Sequence, residues 1–135
     1  MELMDTMQIS ASGLKAQSDR LRVVSQNIAN AESTGARPGD LPYRRKTISF
    51  KDELDRETGV QTVKVSRYGE DPSPFNRKYD PSNPAADAEG YVLMPNVNSI
   101  VEMMDMREAR RGYEANLNMI ESSKSMLTQT INLLR

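Results

Sequence analysis

Residues 103–134 read MMDMREARRGYEANLNMIESSKSMLTQTINLL. Met103, Met106, Tyr113, Leu117, Ile120, Leu127, Ile131 and Leu134 are separated by steps of three, four or seven residues. That spacing gathers apolar side chains on one face of a helix. The N-terminal end carries a matching stripe, with Met7, Leu14, Leu21 and Ile28 recurring every seven residues. Leu3, Ala11, Ser18 and Ser25 fill the intervening seam positions, and Val24 and Ala31 widen it. All seven prolines lie between Pro38 and Pro95. The two ends therefore read as long amphipathic helices that pair with each other, and the helix breakers are confined to the middle.

The pattern predicts one unit over 1–135, divided into an N-terminal helix (1–31), a β and irregular middle (32–95) and a C-terminal helix (96–135). At ~1.5 Å per residue the first helix is a rod of roughly 40 Å. The fold class expected is mainly α, with the terminal helices paired as a coiled coil. Short strands are expected at 43–50 and 60–68, where Val63 and Val65 alternate with polar residues. The charged stretch 51–57 reads as a turn or a short helix. Residues 70–95 carry Pro72, Pro74, Pro81, Pro84 and Pro95 with Phe75, Tyr79 and Tyr91 between them. They read as an extended strap with aromatic anchors.

Details at the helix ends stay open. Asn30, Gly35, Pro38, Gly39 and Pro42 end the first helix, and Asn96 or Asn98 caps the last one. Gly13 either weakens its helix by up to ~1 kcal/mol relative to Ala or lets another backbone approach closely. At Lys124 the last seam either carries a snorkelling stem or passes to Ser123. Eight of the nine methionines lie in the terminal segments, where Met suits either one packed core or varied contacts to other chains. Met104 and Met119 lie off the main stripe and are read as contacts to other chains.

The composition narrows the chemistry. With 18 basic and 19 acidic residues the net charge is −1, which gives no general attraction to nucleic acid. No apolar run approaches the ~18 residues of a membrane span. The opening MELMDTMQIS lacks a basic n-region and a continuous apolar h-region, so a cleaved secretory signal is not expected. His and Cys are both absent, which removes the commonest general base, the usual transition-metal ligands and the thiolate nucleophile. An EF-hand started at Asp80 would need an acid or Asn at 82 and 84, Gly at 85 and Glu at 91. The chain has Ser82, Pro84, Ala85 and Tyr91 there. Neither catalytic, metal nor cofactor residues are therefore expected. The basic run Tyr43-Arg44-Arg45-Lys46 reads as a solvated strand face, or as a contact to phosphate or an acidic neighbouring subunit.

Specific strings carry a resemblance. Ala11-Ser12-Gly13-Leu14-Lys15-Ala16-Gln17 and Ser25-Gln26-Asn27-Ile28-Ala29-Asn30-Ala31, continued by Glu32-Ser33-Thr34-Gly35, resemble the N-terminal signature of the flagellar rod, hook and hook-associated axial proteins. The run from Asn83 to Asn98, with Met94-Pro95-Asn96 at its end, looks like the proximal-rod members of that family. So do Tyr113-Glu114-Ala115-Asn116 and Lys124-Ser125-Met126-Leu127. After Gly35 the chain departs from the family's Thr-Gly-Tyr pattern, having Ala36-Arg37.

The resemblance implies a non-enzymatic subunit of the flagellar drive shaft, without cofactor. It implies export through the flagellar type III apparatus without a cleaved signal, and assembly into a helical tube in the periplasmic part of the basal body. Implied partners are further copies of the chain and other rod proteins (FlgB, FlgF, FlgG and FliE). Met7, Leu14, Leu21, Ile28, Tyr113, Leu117, Ile120, Leu127, Ile131 and Leu134 are then the assembly seams. Asn27, Ile28, Ala29, Asn30, Gly35, Met94, Pro95 and Asn96 are the family motif. The rival readings are a soluble coiled-coil adapter that dimerises through its ends and, remotely, a carboxylate-based hydrolase.

Overall fold

A computed structural model describes residues 2–135. Six elements follow in order: α1 (Glu2–Ala29), β1 (Lys46–Leu54), β2 (Gln61–Glu70), β3 (Asn76–Tyr79), β4 (Tyr91–Met94) and α2 (Ser99–Leu133). The two long terminal helices and the small β middle agree with the periodicity of the sequence. The strands form two separate two-stranded sheets, β1 with β2 and β3 with β4. Strand β1 runs on through Lys51 to Leu54, within the charged stretch read from sequence as turn or helix.

The chain divides into two compact units. The first contains Met1–Leu21, Ile48–Arg67 and Arg107–Arg135. Here α1 and α2 run antiparallel. A Cβ on Gly13 would stand 2.8 Å from the Asn116 amide, and one on Gly112 would stand 3.2 Å from Gln17 Cδ. Arg20 pairs with Glu108 at 3.2 Å one step further along. Close approach is thus the job of Gly13, and small residues make it possible. Gly13 is half-buried, and Ser10, Ala16, Ala109 and Ser123 of this unit are buried. The seam passes to Ser123, and Lys124 stays exposed. The β1–β2 hairpin is tied to α1 in this unit. Gln8 Nε2 donates to Asp55 Oδ2 at 2.9 Å, and the Val63 amide donates to Ser12 Oγ at 3.2 Å. Gly59, at φ 72°, occupies the left-handed region in the tip between the strands, and its amide returns to the Asp55 carbonyl.

The second unit contains Arg22–Thr47 and Tyr68–Met106. Its core is Val23, Val24, Val92 and Pro95, with Asn27 and Glu102 buried among them. Residues 70–95, expected as an extended strap, include a folded antiparallel hairpin. Asn76 pairs with Met94, Lys78 with Val92 and Tyr79 with Tyr91. The two tyrosine rings meet edge to face, 5.3 Å apart. Asp87 Oδ1 closes the long connection by accepting from the Glu89 and Tyr91 amides, 2.9 Å each. Short strands flanking a connection of eleven residues explain the difference, because no compact turn marks the hairpin in the sequence. Asn98 is the cap of α2, its Oδ1 accepting from the Ile100 and Val101 amides at 3.1 and 3.3 Å. Asn96 has another role.

Candidate functional site

Two features stand out: a polar clasp in the second unit, and the apolar seams and exposed faces of the helices. The clasp centres on Asn27. Its Nδ2 donates to the Lys46 carbonyl at 2.9 Å and to Glu102 Oε2 at 3.2 Å. Its Oδ1 accepts from the Lys46 amide at 2.9 Å and from the Tyr43 hydroxyl at 2.8 Å. Two donors and two acceptors are all used, and only a primary amide side chain offers both. Burial raises the Tyr43 pKa above its ordinary value, with the carboxylates of Glu102 and Glu70 adding to the effect.

Glu102 is fully buried and receives a hydrogen bond from Arg45 Nε. The same guanidinium lies 3.6 Å from Asp71 and 3.8 Å from Asp105. Burial works against the Arg45 charge, but the Glu102 bond and the three carboxylates more than offset it and raise its pKa. Asn96 completes the clasp. Its Oδ1 accepts from the Arg45 amide at 2.8 Å, and its Nδ2 reaches the carbonyls of Asp71 and Ser73. Arg44 lies over the Phe75 ring at 4.2 Å and donates to the Asp71 carbonyl. The basic run is therefore not a plain solvated face. Tyr43, Arg44 and Arg45 are spent on tying residues 43–46 to 71–75, α1 and α2 within this unit.

Of the motif residues, Asn27 and Asn96 belong to the clasp. Asn30 accepts from Ser33 Oγ and donates to the Gln26 carbonyl, closing the end of α1. A Cβ on Gly35 would meet Asp40 Cβ at 2.6 Å and its backbone oxygen at 2.8 Å, so only Gly fits. Pro95 is buried, Ile28 and Met94 are half-buried, and Ala29 is exposed. Sequence reasoning missed Tyr43, Arg45 and Glu102 as a set. Glu102, a lone acid in the first turn of α2, carried no periodic signal.

The seam positions divide by exposure. Met7, Leu14, Leu21, Ile28, Tyr113, Ile120 and Leu127 are half-buried. Leu117, Ile131 and Leu134 are exposed, as are Ile100, Met103, Met104, Met119 and Met126. These exposed apolar side chains are distributed around α2 and along its length. No group of three or more metal-binding side chains occurs among the described residues, and no described helix is long and apolar enough to cross a membrane.

Known proteins agree with this organisation. Residues 7–37 match the family described as "Flagella basal body rod protein". Residues 88–133 match "Flagellar basal body rod FlgEFG protein C-terminal". The chain is 56% identical to the flagellar basal-body rod protein FlgC of Agrobacterium fabrum, over 94% of this chain and 91% of that one. It is 42% identical to FlgC of Salmonella typhimurium over 98% of both chains, and 38% identical to FlgC of Bacillus subtilis over 95% of both. With 94–98% of the chain inside these alignments, the chain belongs to the FlgC family of flagellar basal-body rod proteins, which are structural subunits and not enzymes.

Proposed function

We propose that the chain is a subunit of the proximal rod, polymerising into the helical shaft that carries motor torque across the periplasm. A head-to-tail contact whose operator does not close generates a helical polymer. Torque then passes through many lateral helix contacts in parallel, and interfaces packed to native density resist shear. Stiffness, rather than turnover, is the activity. In this reading the terminal helices act as a coiled coil and the chain behaves as one axial unit in three segments, 1–31, 32–95 and 96–135. Met7, Leu14, Leu21, Ile28, Tyr113, Leu117, Ile120, Leu127, Ile131 and Leu134 supply the seams. The 70–95 segment lies against the assembled tube or a neighbouring subunit. The partners are further copies of the chain and FlgB, FlgF, FlgG and FliE. The chain reaches them through the flagellar type III export apparatus without a cleaved signal.

The observation that supports this reading is the exposed apolar surface of α2, from Ile100 and Met104 to Met126 and Leu134. The test is incorporation into purified basal bodies. Leu21→Asp or Leu127→Asp puts a charge into a half-buried seam position, where an unpaired charge is costly. Each variant is expected to be exported yet to be lost from the rod and to abolish swimming. Normal rod content and motility in both would refute the seam assignment. A soluble adapter would instead form stable dimers in dilute solution, and family membership does not favour it.

A further inference from the structure

We propose that the cleft between α1 and the Lys46 and Tyr68–Glu70 ends of β1 and β2 is a binding site for a small zwitterion. Such a ligand carries a carboxylate and an ammonium group a few bonds apart, as an amino acid or a peptide end does. The inference goes beyond the rod reading and does not rest on it.

The cleft lies wholly within the second unit. Helix α1 supplies Arg22, Val23 and Gln26, and the strands supply Lys46, Tyr68 and Glu70. Its volume is about 370 Å³. That is at the small end of the ~300–1,000 Å³ of ligand pockets, so its occupant is small. Buried Val23 and the Tyr68 ring give it apolar surface, and the other four side chains are polar.

The cationic side is organised before any ligand arrives. Arg22 lies over the Tyr68 ring, 5.7 Å from its centre, and its Nη2 donates to the Tyr68 hydroxyl at 3.0 Å. A phenol both accepts and donates, so the Tyr68 hydrogen remains for a ligand. Lys46 is anchored through its backbone, whose amide and carbonyl both bond to the Asn27 side chain at 2.9 Å. Its ammonium has no such duty. The clasp spends Tyr43, Arg44 and Arg45 of the basic run and leaves Lys46 over. Glu70 brings the opposite charge to the same cleft. Neither the Lys46 ammonium nor the Glu70 carboxylate forms an ion pair among the described residues.

This charge arrangement selects the ligand. A carboxylate fits Lys46, with Arg22 and the Tyr68 hydroxyl beside it, and an ammonium fits Glu70. The Gln26 amide can serve either end. A plain anion such as phosphate is repelled by Glu70, and a plain cation is repelled by Arg22 and Lys46. A zwitterion is opposed by neither side. Arg22, Gln26, Lys46, Tyr68 and Glu70 are all exposed, so each charge contact is screened and the affinity is low.

Diglycine is the probe, titrated into the full-length chain and followed by the amide resonances of Val23 and Gly69, both of which line the cleft. Saturable shifts are expected with a Kd of about 1–10 mM, the range open to so small a ligand at an exposed site. Acetate, ethylammonium and inorganic phosphate each present one sign of charge and should bind about tenfold more weakly. Lys46→Gln and Glu70→Gln should each weaken diglycine about tenfold, and Glu70→Gln should bring acetate level with diglycine. The clasp uses only the backbone of Lys46, and unchanged resonances of Val92 and Asn96 in both variants will show that the unit stays folded. The proposal is overturned if neither Val23 nor Gly69 shifts up to about 100 mM diglycine. It is equally overturned if acetate binds the unsubstituted chain as well as diglycine does, or if either folded variant binds diglycine undiminished. None of these results bears on the rod reading, which is tested by incorporation into basal bodies.

Discussion

Asn27 shows how one side chain can decide the geometry of its surroundings. Its amide is read by two acceptors on the nitrogen side and two donors on the oxygen side, in a site that is 1% exposed. Replacement by Asp removes both donors and brings a second carboxylate against buried Glu102. We expect Asn27→Asp to destabilise the protein by about 3–5 kcal/mol, the range for a broken buried charged network. Thermal denaturation followed by circular dichroism measures it, and a loss below about 1 kcal/mol would mean that the clasp is not closed in solution. Gly13 poses a subtler balance. Gly13→Ala gains up to about 1 kcal/mol of helix propensity. Its Cβ, however, would displace the Asn116 amide, whose Nδ2 donates to the Gly112 carbonyl at 2.9 Å. That bond is worth about 1 kcal/mol, so the single change should be near neutral. In an Asn116→Ala background the conflict disappears, and Gly13→Ala should then stabilise. A double-mutant cycle measures the difference, and additivity within about 0.3 kcal/mol would place Asn116 away from Gly13.

The β3–β4 hairpin is the element held most visibly by charge. Asp87 accepts from the Tyr91 amide and the Glu89 amide and pairs with Arg77 at 3.2 Å, while Arg77 also covers the Tyr91 ring at 4.6 Å. The Tyr91 amide bond foremost, then Glu89 and Arg77, hold the Asp87 carboxyl below its ordinary pKa. Asp71 is likewise lowered, by Ser73 first and Arg45 after it. A depressed folded-state pKa contributes stability that is present above the unfolded value and lost as pH falls through the folded value. The hairpin should therefore loosen on acidification below about pH 4 and stay indifferent to pH between about 6 and 8. Amide exchange at Tyr91 reports it. Asp87→Asn, which keeps an acceptor but cannot titrate there, should lose this acid response, and an unaltered acid midpoint in that variant would exclude Asp87 as its source. The same hairpin marks where the sequence was legible and where it was not. The long helices were readable because three- and four-residue spacing is a strong signal. Their line of closest approach was legible only as one of two readings at Gly13 and at Ser123, because Ser10, Gly13, Gln17 and Ser123 form it and none is a large apolar residue. The clasp was hidden for a related reason. Tyr43 and Arg45 are polar and lie far in sequence from Glu102, so nothing periodic links them to it, although Asn27 and Asn96 were flagged by resemblance.

At the scale of the whole molecule, stability should be distributed unevenly, and function follows from that. In the first unit, α2 packs on α1 through Ala109, Gly112, Asn116 and Ser123, with Ala109 fully buried. Beyond Leu127 every residue of the helix is exposed. A helix segment without packing is marginal in water, because propensity alone barely repays the cost of ordering it. Local opening free energy tracks the apolar contacts that opening would break. In the isolated protein, amide hydrogen exchange along 107–134 should thus be slow near 109–116 and progressively faster toward 134. The last turns should exchange at close to unprotected rates. In assembled rods the same turns should become protected, since an opposing helix would supply the contacts that the chain lacks. This gradient would leave the end of α2 only loosely formed before assembly and order it afterwards. Uniformly strong protection from 109 to 134 in a monomer verified by sedimentation would show that α2 needs no partner to order its end. It would also remove the reason for a subunit of this shape to fold further on assembly.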